Sequence, residues 1–69
     1  MATFKYQAEF DGVKIGRETP LAVEVFLAEQ TTPIWIPKTQ ISDDSEVWKE
    51  GDAGTLVISE WIAAQKGII

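Results

Sequence analysis

The sequence predicts a mainly β fold with one short C-terminal helix, built as a small antiparallel curled sheet or an SH3-like barrel. Three observations carry this reading. Apolar and polar residues alternate with period two from Phe4 to Phe10. Short β-branched or aromatic runs then recur between breaks at Gly16, Pro20, Pro33 and Pro37. A helical signature enters only after Ser59 and is closed by Gly67. Four or five apolar strands in so short a chain must close or be covered, which favours the barrel.

The first strand is read from Phe4, Tyr6, Ala8 and Phe10, which alternate with Lys5, Gln7 and Glu9. Asp11-Gly12 has the composition of a type I′ turn, whose central residues need positive φ. A two-residue loop there predicts a hairpin pairing Phe10 with Val13 and Ala8 with Ile15, all on one apolar face. In the segment 21–28, Leu21, Val23, Val25 and Leu27 fall on one face, and Ala22, Glu24, Phe26 and Ala28 on the other. Two largely apolar faces predict a central strand covered on both sides. Gln30 to Pro33 reads as a turn into Ile34-Trp35-Ile36, which Pro37 ends or confines to an edge because proline cannot donate to the ladder.

From Ser42 to Gly54 the chain turns polar, with Asp43, Asp44, Glu46, Glu50 and Asp52 offset only by Lys49, and a flexible acidic loop is expected over 42–54. Thr55 to Ile58 resumes a strand. Ser59 suits a helix N-cap, Glu60 sits at the positive end of the helix dipole, and Lys66 and Gly67 mark the other end. Trp61, Ala64 and Ile68, at i, i+3 and i+7, predict the buried stripe of a helix too short to be stable unpacked.

Composition bounds the function. With 69 residues, 45% hydrophobic and 25% charged, the chain reads as one globular domain over 1–69. A domain this small buries about 60% of the surface exposed by its unfolded chain, leaving little room for a substrate pocket beside a core, and homo-oligomerisation is a common remedy. The chain contains neither histidine nor cysteine. Disulfides and thiolate or imidazole metal sites are thereby excluded, and an enzyme would have to work with carboxylates, lysine or hydroxyls. Ser42, Ser45 and Ser59 have no histidine base. Asp43, Asp44, Glu46 and Asp52 lack the spacing of a calcium loop, and Gly51 and Gly54 precede no Lys-Ser or Lys-Thr pair. The expectation is a non-enzymatic protein without cofactor, metal or catalytic residue.

Met1 to Phe10 lacks the basic start and apolar run of a signal peptide, and no segment approaches the ~20 apolar residues of a membrane span, so a soluble, cytoplasmic protein with no membrane association is expected. The net charge of -5 disfavours nucleic acid, since phosphate neutralisation by Lys and Arg supplies most sequence-independent affinity. The six cations form no run, although Lys5, Lys14 and Arg17 fall close enough in sequence for a local basic face.

Two motifs carry a resemblance. Trp35-Ile36-Pro37-Lys38-Thr39-Gln40-Ile41, followed by Glu60-Trp61-Ile62-Ala63-Ala64-Gln65-Lys66-Gly67-Ile68, resembles a pattern of short phage and prophage accessory proteins: W-[IL]-P-K-S-Q-[IL], then EW[IL]A and KG[IL]. Thr39 stands where that pattern has serine. The resemblance implies a setting inside a bacterial host cell, among proteins of recombination, DNA handling or host interaction, and transfers no catalytic residue.

The same segment has a physical reading. Either Ile34, Ile36 and Ile41 enter the core and Lys38, Thr39 and Gln40 merely turn the chain, or Trp35 points outward and forms a recognition surface with Lys38 and Gln40. Trp48 poses a similar choice: it folds back with Val47 to cap the core, or it stays exposed as an anchor ringed by carboxylates. The residues expected to meet a partner are therefore Trp35, Lys38, Gln40, Asp43, Asp44, Glu46 and Trp48. The predicted function is a small phage-type protein-binding module, a modulator or inhibitor whose acidic surface occupies a basic surface on a host or phage protein. Two alternatives stand beside it: a single-stranded nucleic-acid-binding accessory stacking bases on Tyr6, Phe26 or Trp35, and an oligomeric structural phage component.

Overall fold

Asp11-Gly12 bends a strand instead of ending one. In the computed structural model, which describes residues 4–69, β1 runs unbroken through Gln7–Glu18. Met1 to Thr3, part of the segment read for a signal sequence, lie outside the described residues. Along β1, Phe10 faces Leu56 and Val13 faces Gly54 of β4 (Ala53–Ser59), so Asp11 and Gly12 together oppose Thr55. This is a β-bulge with Gly12 at φ 68°, held by Thr55 Oγ1 donating to Asp11 Oδ1 at 3.0 Å. The expected hairpin pairs of Phe10 with Val13 and Ala8 with Ile15 do not form. A glycine that accepts positive φ serves a bulge as well as a I′ turn, and Ala8 and Phe10 find Ile58 and Leu56 on a strand remote in sequence.

A second bulge follows. Ile15 faces Val25 and Glu18 faces Val23 of β2 (Ala22–Phe26), so Gly16 and Arg17 oppose the single residue Glu24. The β1–β2 connection is closed by Thr19, whose Oγ1 accepts from the N–H groups of Leu21 and Ala22. Leu21 therefore lies in the turn, largely exposed, and not on the inner face of the following strand. β3 (Ile34–Pro37) pairs with β2 antiparallel, Ala22 against Pro37 through Val25 against Ile34. The sheet order is β3-β2-β1-β4.

After Pro37 a 3-10 turn, Lys38–Gln40, carries the chain around to the far edge of β4. There Ile41 makes an isolated antiparallel bridge with Ile58, and the Ser42 N–H bonds the Val57 carbonyl at 2.8 Å. The sheet is thus a curled, four-stranded antiparallel sheet that stays unclosed, not the favoured barrel. The outer edge of β4 bonds the 42–46 segment, so β3 forms no ladder with it. The curl encloses one core: Val13, Ile15, Val23, Val25 and Ile36 from the sheet's inner face, Leu56 and Ile58 from β4, and Ile41 and Val47 from the connecting segment.

The helix forms where its caps predict. In α1 (Glu60–Gln65), Ser59 Oγ accepts from the Ile62 N–H at 3.2 Å. At its end Gly67, φ 71°, donates to Ala64 O and Ile68 donates to Ala63 O, the paired bonds of a Schellman stop. The buried residues, however, are Ile62 and Ala63; Trp61, expected in the core, is 62% exposed, and Ala64 also faces solvent. The helix leaves β4 directly and spans fewer than two turns, so the strand exit and the Ser59 cap set which face meets the sheet. Tyr6, assigned to the inner face of the first strand, is exposed because it precedes β1 and belongs to a bend.

Candidate protein-binding surface

The acidic stretch is tied to the sheet by its hydroxyls and carboxylates. Ser45, 6% exposed, is the hub: its Oγ accepts from the N–H groups of Val47 (3.3 Å) and Val57 (3.2 Å) and donates to Val47 O (3.0 Å). That uses the hydroxyl's full capacity of one donor and two lone pairs. The Glu46 N–H bonds Thr55 O at 2.9 Å, and Glu46 Oε1 accepts from the Thr55 N–H at 2.9 Å. Further along, Asp52 Oδ2 accepts from the N–H groups of Trp48 (2.8 Å) and Lys49 (3.1 Å), which hold its carboxyl below the usual aspartate range. The Asp52 carbonyl then accepts from the Ile15 N–H, joining the loop to β1. The stretch expected to be a flexible loop is thus held at Ser42, Ser45, Glu46 and Asp52.

This framework divides Val47 from Trp48. Val47 is fully buried, as the folded-back reading has it, whereas Trp48 keeps 38% of its surface exposed. The indole N–H donates to Ser45 O at 2.8 Å, which fixes the ring on the surface it lies against. Asp43, Asp44, Glu46 and Glu50 are all exposed around it, with Lys49 the cation of the stretch. Asp44 Oδ2 accepts from Gln7 Nε2 at 3.3 Å, so the patch extends to the start of β1.

The Trp35 segment is used differently. Trp35 faces Glu24 across the β2–β3 ladder on the outer side of the sheet and is half-buried there. Arg17 stands 5.6 Å above its ring centroid and grips Glu24 through three bonds: its own N–H to Oε1 (3.1 Å), Nε to Oε1 (3.3 Å) and Nη2 to Oε2 (3.0 Å). The guanidinium holds the Glu24 carboxyl below its ordinary value, and Glu24 in turn raises that of Arg17. Phe26 lies over Gly16, where a Cβ would come within 2.6 Å of both its ring and Glu24 Oε1. Lys38 pairs with Glu18, which also accepts the Glu50 N–H, and both contacts lower the Glu18 pKa. Gln40 Oε1 accepts from Ser59 Oγ and so braces the helix cap. Trp35, Lys38 and Gln40 thus serve three separate contacts within the fold, while Asp43, Asp44, Glu46 and Trp48 share one hydrogen-bonded segment.

Sequence reasoning missed Ser45 and the Arg17–Glu24–Trp35 stack. A serine in a polar run gives no signal, whereas a single carboxylate inside an apolar strand does, because a buried charge demands a partner. The chain matches no protein-family model, no curated protein and no solved structure. Among the described residues no cluster of three acidic, histidine or cysteine side chains is placed to hold a metal, and no helix is long and apolar enough to cross a bilayer.

Proposed function

We propose that the chain is a small protein-binding module whose docking surface is the hydrogen-bonded segment 43–50, with Trp48 as its anchor and Asp43, Asp44, Glu46 and Glu50 as its charged rim. One observation carries this: a partly exposed tryptophan is fixed by its indole N–H inside a stretch whose exposed charges are nearly all negative. An aromatic side chain already held in place loses little entropy on binding, and a surrounding carboxylate rim selects a basic partner and speeds encounter. A phage-type modulator or inhibitor of a host protein in a bacterial cytoplasm is the form of this proposal that the WIPKTQI and EWIAAQKGI motifs suggest. A stacking role in nucleic-acid binding draws less support, because the Trp35 ring is already covered by Arg17 beside its cross-strand neighbour Glu24, and Phe26 lies over Gly16.

The test is capture from bacterial lysate with nuclease present, comparing the parent chain with Trp48→Ala and with the triple change Asp43→Asn, Asp44→Asn, Glu46→Gln. Glutamine at 46 keeps an acceptor for the Thr55 N–H, so the segment stays pinned. A nuclease-resistant partner is expected that Trp48→Ala weakens by about 2 kcal/mol and whose affinity depends less on salt in the triple variant, which keeps only Glu50 of the rim. A partner held equally by all three chains would remove this surface from consideration.

A further inference from the structure

Among the described residues, the N-terminal half of β1 is unpaired on the edge that faces β2. β2 pairs with β1 only from Lys14 onward, through Lys14 against Phe26, and beyond it a tight turn, Gln30 N–H to Leu27 O, sets Ala28 beside Gly12 and leaves a cleft between residues 27–30 and Glu9. On the other side of β1, Glu9 faces Val57. The Val57 N–H and carbonyl both point away from β1, to Ser45 Oγ and the Ser42 N–H. Glu9 and Val57 are therefore a non-hydrogen-bonded pair, and the Glu9 N–H and C=O are directed to the opposite edge. Among the described residues no strand lies on that edge.

A cleft of about 320 Å³ opens there. Phe10, Leu27 and Ile68 give it an apolar floor that continues the core, and Glu9, Asp11 and Glu29 line it with no lysine or arginine among the described lining residues. We infer that this edge binds an extended, lysine- or arginine-bearing peptide segment of a partner protein as an added strand. Backbone bonds to Glu9 would set its register. The residue opposite Glu9 shares its face, so a basic side chain there meets Glu9 and Glu29, while its neighbours, on the other face, cover Phe10, Leu27 and Ile68. A period-two basic/apolar strand matches both the charge and the pleat. The site is separate from the Trp48 segment and does not depend on it.

The probe is acetyl-Lys-Val-Lys-Val-Lys-Val-amide, titrated into the full chain and followed by amide shifts and hydrogen exchange. In the free protein the Glu9 amide is expected to exchange fast. With peptide, saturable shifts at Glu9, Phe10 and 27–30 are expected, and Glu9 exchange slows roughly tenfold or more. Because the lysine residue opposite Glu9 forms the hydrogen-bonded pair, N-methylation of the lysine amides abolishes binding and N-methylation of the valine amides does not. Glu9→Lys with Glu29→Lys weakens binding roughly tenfold, whereas Asp43→Asn with Asp44→Asn leaves it unchanged. Shifts confined to 43–50, or equal binding of both methylated peptides, would overturn the inference. So would Glu9 protection that rises with protein concentration alone, which would make a second copy the occupant.

Discussion

Ser45→Ala removes one oxygen from a segment whose order depends on it. The Val47 and Val57 N–H groups lose their acceptor, and with Val47 fully buried and Val57 only 3% exposed, water cannot replace it. A buried donor left unpaired costs about 1–3 kcal/mol. Two such donors, less some relaxation, give an expected loss of about 2–4 kcal/mol. A domain of this length has a total stability of roughly 3–10 kcal/mol, so the loss is a large share of it. The melting temperature should fall by about 8–30 °C, at about 4–8 °C per kcal/mol for a domain of this size. Urea unfolding followed by tryptophan fluorescence reads the change, with Lys14→Gln, at an exposed position of β1, expected within about 0.5 kcal/mol of the parent. A Ser45→Ala midpoint as close to the parent as that of Lys14→Gln would refute the reasoning that the hydroxyl organises the loop.

Gly16→Ala drives a methyl group against Glu24 Oε1 and the Phe26 ring, and a loss of about 1–3 kcal/mol is expected by the same unfolding assay, with release of Arg17 from Glu24 visible in its side-chain resonances. At Gly12, whose φ is positive, valine should cost about 1–2 kcal/mol and asparagine less, because asparagine tolerates the left-handed region; equal melting temperatures would deny the bulge. Stability should also fall in acid. Glu18, Glu24 and Asp52 are held below their ordinary values of 4.5, 4.5 and 3.8, so their contribution is complete above those values and is lost as pH drops through the lower folded ones. Asp52→Asn, compared with the parent over pH 2–6 in urea titrations, should show a shallower decline; parallel profiles would count against the Asp52 bonds.

What the sequence made legible was local. Short apolar runs between breaks located β2, β3 and β4, and Ser59 and Gly67 marked the two ends of the helix because their bonds join residues within a few positions. What it hid was pairing at long range. Asp11-Gly12 reads identically as turn and as bulge until Leu56 and Gly54 are known to lie opposite Phe10 and Val13. Trp61 has the spacing of a buried stripe, yet the strand that delivers the helix presents Ile62 and Ala63 instead. The acidic stretch read as a loop because its stabilising groups, Ser45 Oγ and the Asp52 carboxylate, are polar residues in a polar run, where composition cannot separate a solvated chain from a capped one. Carboxylate charge was legible, and so was the choice posed by Trp48; its resolution, with Val47 inside and the indole pinned outside, needed the fold.

The central claim is that the segment 42–52 is an ordered platform presenting Trp48, and amide hydrogen exchange tests it without a partner. The Trp48 indole N–H and the backbone amides of Ser42, Glu46, Val47 and Val57 should be protected to a level close to that of the β1–β2 ladder. Exchange of the Trp48 indole and of the Ser42, Glu46 and Val47 amides at free-peptide rates, while the β1–β2 amides stay protected, would contradict it.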